Sequence, residues 1–130
     1  MFSESTFHLI DFGFSTRYKD RKSGEHIKQK EVEKFKGNMI FGSVNQLNFL
    51  TTSRRDDLIS LFYLIVFLLN KGQMNGIDLE NEMTSIEAFK QARMIKKRLS
   101  IDEVCGENAF IMKQFGEEVC SYEFEEQPDY

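Results

Sequence analysis

The chain has 130 residues, 41% of them hydrophobic and 13% aromatic, with a formal net charge of −4. That is room for one domain with an ample apolar core, and the acidic balance gives no electrostatic reason to propose nucleic acid or an anionic membrane as partner. Cys105 and Cys120 lack metal-ligand spacing, and the amino terminus shows no basic segment leading an apolar core, so a reduced, intracellular protein of the cytoplasm or nucleus is expected.

Phe7–Ile10 is an apolar run ending at Asp11-Phe12-Gly13, which reads as a short strand entering a turn; Phe14 to Tyr18 could pair with it as a second. Arg17 to Lys36 is polar, with alternating charges and Gly24 as a breaker, and reads as a long exposed loop. Loops of that length in a compact domain are usually functional or disordered. Gly37 and Gly42 bracket a small apolar segment, and a short helix is expected over Ser43 to Asn48.

The dominant stretch is Ser53–Gly72, SRRDDLISLFYLIVFLLNKG, whose middle is almost unbroken apolar side chain. Ser53 stands three residues before Asp56 as a capping box, and Asn70, Lys71 and Gly72 are the residue types that close a helix. Its length favours helix over strand. It is too short for a bilayer span, which needs about 20 apolar residues, and Arg54, Arg55, Asp56 and Asp57 abut it. A core helix apolar all round must be covered all round, and each large side chain buried there contributes roughly 1.5–3 kcal/mol.

Downstream, Thr84-x-x-Glu87 is a second capping box, opening a helix with an apolar stripe of Ala88, Ala92, Ile95 and Leu99. Lys90, Arg93 and Lys97 lie on another face, where a solvated surface is the simplest reading. Ser100-x-x-Glu103 opens a short helical turn closed by Gly106. The last helix is expected from about Glu107 to Ser121 with Ile111, Phe115, Val119 and Tyr122 on one side, and Glu123 to Tyr130 looks extended. His8 and His26 are isolated and read as structural, and the cysteines as core thiols. The expected fold is mainly α, with a short strand or hairpin at the front.

Taken alone, Asp11-Phe12-Gly13 is an ordinary turn. A carboxylate there, with glycine freeing the next backbone step, can also hold Mg²⁺ against nucleotide phosphates. Further residues give that reading company. IDFGFSTRYKD, His26-Ile27, Gly37, Gly42-Ser43-Val44-Asn45, SRRDDLISL and the final Pro128-Asp129-Tyr130 follow one another in an order and spacing that resembles the casein kinase I family of protein kinases. The resemblance covers essentially the whole chain, residues 1–130, and implies a partial kinase domain: the carboxy-terminal lobe from just before Asp-Phe-Gly.

The resemblance implies that Asp11 binds metal, that Gly13 is a hinge of the activation segment and, with Asp11, part of the cofactor site, and that Phe12 packs to set active and inactive states. It places Gly37 and Asn45 in the activation segment and Arg54 and Arg55 as its supports. Asp57 would be the helix aspartate that hydrogen-bonds the catalytic loop. It also implies ATP and Mg²⁺ as cofactors, protein Ser/Thr side chains as substrate, and γ-phosphate transfer by the complete parent.

There are departures. Only ten residues precede Asp11, so the glycine-rich loop, the nucleotide lysine and its glutamate, and the His-Arg-Asp loop with its base are not in this chain. Asn38 stands where the family has threonine, and Ile40 where it has an arginine that helps bind acidic or phosphorylated substrates. Leu-Pro-Trp is absent near Gln73-Met74-Asn75. The chain alone is therefore expected to be inactive and not to bind the cofactors. Without its upstream neighbours, a side of the central helix holding some of Leu61, Leu64, Ile65 and Leu68 should stay open, for a protein partner to cover. A non-catalytic, pseudokinase-like interaction module and a truncated gene product are the alternatives.

Overall fold

A computed structural model describes residues 6, 8–77 and 85–130, Ser85 by its backbone alone. The helices are α1 (Val44–Leu47), α2 (Arg54–Leu69), α3 (Ser85–Arg98), α4 (Ile101–Cys105) and α5 (Lys113–Ser121), with single 3₁₀ turns at Phe12–Phe14 and Phe110–Met112. Phe7 and the Thr84 cap lie outside the described residues.

The central helix begins where its cap requires, with the Ser53 backbone N–H donating to Asp56 Oδ2 at 2.9 Å. It ends at Asn70, after which Lys71 and Gly72 turn the chain with φ of 56° and 83°. Its inner face carries Ile59, Phe62, Tyr63 and Val66 into the core, where Ala92, Val104, Cys105, Ala109 and Val119 meet it. α5 crosses close enough that a Cβ on Gly116 would lie 2.6 Å from the Phe62 ring. Glycine at that position is what permits the contact.

Coverage of α2 is one-sided. Leu61, Leu64, Leu68 and Leu69 are exposed, Leu68 by 63%, and Ile65 is half-buried. The open side is the one anticipated from the sequence.

Two expectations need correction. No strand or hairpin forms among the described residues at the front: residues 8–11 are irregular and exposed, and the Lys19–His26 pairing is an isolated bridge. Apolar residues alone do not make a strand; a neighbouring edge must accept its hydrogen bonds, and a lone two-stranded pair is marginal in water. At the other end, residues 110–112 wind as a 3₁₀ turn, which throws Ile111 out of phase with α5 and leaves it 83% exposed. Val119 keeps its place in the core and Phe115 packs on its edge.

Candidate functional site

The Asp11 segment and the head of α2 face each other across a cavity of about 550 Å³. Asp11, Phe12 and Tyr18 line one wall; Arg54, Asp57 and Leu61 line the other. Asp11 holds the left-handed backbone conformation, φ 59°, uncommon outside glycine but more accessible to Asp. Its Oδ1 accepts from the Gly13 N–H at 3.2 Å, which closes the 3₁₀ turn and leaves the carboxylate at the surface. Phe12 is 64% exposed over the cavity rather than packed.

The adjacent aspartates of α2 have opposite fates. Asp56 is 2% exposed and accepts from the Ser43 hydroxyl at 2.6 Å, Asn45 Nδ2 at 3.1 Å and the Ser53 N–H. Arg55 Nε stands 3.7 Å from Oδ2, the oxygen that the Ser53 N–H also meets. Asp57 borders the cavity; its backbone N–H meets the Ser53 carbonyl, while its carboxylate accepts no hydrogen bond from the described residues. Desolvation there, and then the Asp56 charge beside it, push its carboxyl above the usual range.

Arg54 and Arg55 grip the carboxy-terminal segment. Arg54 donates to Gln127 Oε1 at 2.5 Å and to the carbonyls of Glu126 and Glu125 at 3.0 and 3.2 Å, while its guanidinium lies 4.4 Å from the Tyr18 ring centroid. Arg55 donates to the Tyr122 carbonyl at 3.1 Å and lies 5.7 Å from the Phe124 ring. His26 completes the joint, edge-on to Phe124 at 5.0 Å with Nδ1 2.8 Å from the Ile27 carbonyl oxygen. Asp20 closes the intervening turn by accepting from the N–H groups of Lys22 and Ser23, which lower its pKa.

Gly37 stands apart from the cavity. Its φ of 121° and the 2.7 Å a Cβ would leave to Gln46 Nε2 exclude other residues without a shift. Asn45 likewise serves the Asp56 network. So the structure brings Asp11, Phe12, Arg54 and Asp57 to one cavity, with Gly13 adjoining, and sets Gly37, Asn45 and Arg55 into supporting contacts.

The sequence reading missed Asp56 as a three-donor hub and Lys96 as a buried cation. Lys96 is four residues after Ala92 and three before Leu99, so helical spacing alone would have put it on the apolar stripe.

Comparison with known proteins places relatives beside this chain. Over 129 residues, 95% of this chain, it is 34% identical to a probable casein kinase I homolog of Encephalitozoon cuniculi. The chain is homologous to casein kinase I. It is also 30% identical over 125 residues to casein kinase I homolog 2 of Schizosaccharomyces pombe, and 31% identical over 128 residues to a casein kinase 1-like protein of Oryza sativa. The casein kinase I homology takes in 95% and 98% of this chain in those two cases. It spans only 38%, 28% and 17% of the three relatives' own lengths. No protein-family profile matches the chain. Among the described residues no group of His, Cys, Asp and Glu forms a metal cage, and no helix is long and apolar enough to cross a membrane.

Proposed function

We propose that residues 1–130 are the carboxy-terminal-lobe part of a serine/threonine protein kinase domain of casein kinase I type, from the metal-binding aspartate onward. The observation that carries this is the joint placement of Asp11 and Phe12 against Arg54 and Asp57 across one cavity, within a chain homologous to casein kinase I. The parent would transfer the γ-phosphate of ATP to Ser or Thr of a protein substrate. In it, Asp11 would hold Mg²⁺; a single carboxylate suits an ion coordinated mostly by phosphate and water, and the bound ion would neutralise phosphate charge. Gly13 lets the turn after Asp11 close, Phe12 stands over the cavity, and Arg54 and Arg55 brace the segment against the chain's end.

Phosphoryl transfer depends on positioning and charge neutralisation by several groups together. These 130 residues hold no His-Arg-Asp sequence and no glycine-rich loop. The chain by itself is therefore expected to transfer no phosphate from labelled ATP to casein. Transfer that survives purification and disappears in Asp11→Asn would overturn the reading.

The open face of α2 favours a second reading, a non-catalytic interaction module whose protein partner covers Leu61, Leu64 and Leu68. Apolar faces of this kind mark association sites or aggregation liabilities.

A further inference from the structure

Lys96 does not belong to the solvated basic face of α3. It turns inward and is only 7% exposed. Its Nζ donates to the carbonyl oxygens of Ile40 at 2.5 Å, Gly42 at 2.6 Å and Met39 at 3.3 Å, and lies 4.0 Å from the centroid of the Tyr63 ring. Among the described residues it has no ion pair. A buried charge without a carboxylate needs other compensation. Carbonyl dipoles and an aromatic face supply it here.

The carbonyls converge because residues 38–42 make a tight turn: Asn38 accepts from the Ile40 N–H on its side chain at 2.8 Å and from the Gly42 N–H on its backbone at 2.7 Å. Both bonds are internal to the turn and hold it to nothing else. Phe41 rests edge-on against Phe67 at 5.3 Å, an apolar contact that leaves the carbonyls unfixed. Among the described residues, Lys96 is the polar link from α3 to this turn. The next residue, Ser43, donates to Asp56 and accepts from the Gln46 N–H, so the turn's geometry passes directly into α1 and its seat on α2.

We infer that Lys96 is a positioning residue: a cationic tie from α3 that fixes the conformation of residues 39–42 and, through Ser43, the seat of α1 on α2. Burial lowers its pKa to about 7. The titratable group on α2 that it touches is Tyr63, held above its usual value by burial and then by Cys120; Asp56 of the same helix is bound to Ser43. Residues 37–43 and α1 carry no titratable side chain. If the chain belongs to a kinase as proposed, the tie positions a turn whose Ile40 takes the place of a substrate-binding arginine; only that consequence rests on the kinase reading.

Hydrogen exchange of the full chain tests the tie. Lys96→Met keeps the apolar stem and removes every donor, while Lys96→Ala leaves a space that n-propylammonium can enter. In both variants the Ile40 and Gly42 amides should exchange about tenfold faster or more, with the amides of Phe62 to Val66 unchanged. n-Propylammonium should restore protection to Lys96→Ala, and n-propanol should not. Unchanged protection at Ile40 and Gly42, or equal rescue by the alcohol, overturns the inference. Should the variants lose protection in α2 as well, the wild-type chain decides: the Lys96 ¹³Cε shift and the amide shifts of residues 40–43 must titrate together, and independent titration overturns the tie. None of these readouts requires phosphotransfer, so a failure of the kinase reading leaves them intact.

Discussion

Neighbouring carboxylates on one helix head show how much position decides. Asp56 faces inward, where Ser43, Asn45 and Ser53 each donate to it; Asp57, one step around the helix, borders the cavity, and its carboxylate accepts from none of the described residues. Asp56→Asn should lose about 2–3 kcal/mol in denaturant melts, because an amide nitrogen cannot accept and buried donors are left unpaired. Asp57→Asn should change stability by less than about 1 kcal/mol, toward stabilisation at neutral pH. The direction follows from its raised pKa: the wild-type carboxyl contributes fully only below its unfolded-state value and loses that contribution as pH rises through the folded-state value, a loss the neutral amide does not share. Lys96 gives the opposite slope. Its folded value of about 7 lies below the ordinary 10.5, so between them the unfolded chain binds the extra proton and unfolding free energy rises with pH. The wild-type minus Lys96→Met difference in urea melts across that window should carry the slope, and a flat difference would show that Lys96 is not buried in solution.

Among the elements, the α2–α5 contact sets the tightest constraint. In an exposed helix Gly→Ala gains up to about 1 kcal/mol. At Gly116 the added methyl would meet Phe62 at 2.6 Å and Ile101 at 3.0 Å, so Gly116→Ala should instead lose about 1–3 kcal/mol through overpacking, measurable as a lowered melting temperature. The helices were legible in the sequence because their signals are local: Ser53, Ser100, Gly106 and the spacing of apolar residues sit within the elements they define. The front strand was not, since Leu9 and Ile10 make a strand only where a distant edge pairs with them. Ile111 was misplaced because a single 3₁₀ turn breaks the helical phase that the sequence reading carried through it. At the site, Asp11, Arg54 and Asp57 could be named from their order along the chain. The grip of Arg54 on residues 125–127 could not, since its partners lie more than 70 positions away.

The whole molecule is a helical assembly with one flank of its central helix uncovered. Leu61, Leu64 and Leu68 stand open beside a cavity whose other wall exposes Leu9, Ile10, Phe12 and Phe14. Monomeric proteins rarely expose apolar patches beyond about a few hundred Å². The central claim is that this flank of α2 stays open in solution, where, on the proposed reading, it is the seam of a kinase-type lobe. Multi-angle light scattering of the purified chain across a concentration series, with a hydrophobic dye added, tests that claim most directly. Concentration-dependent association with strong dye fluorescence, both reduced by Leu64→Glu and Leu68→Glu, is the expected result. A monodisperse monomer that leaves the dye dark would mean the helix is covered in solution and would contradict the open-seam account.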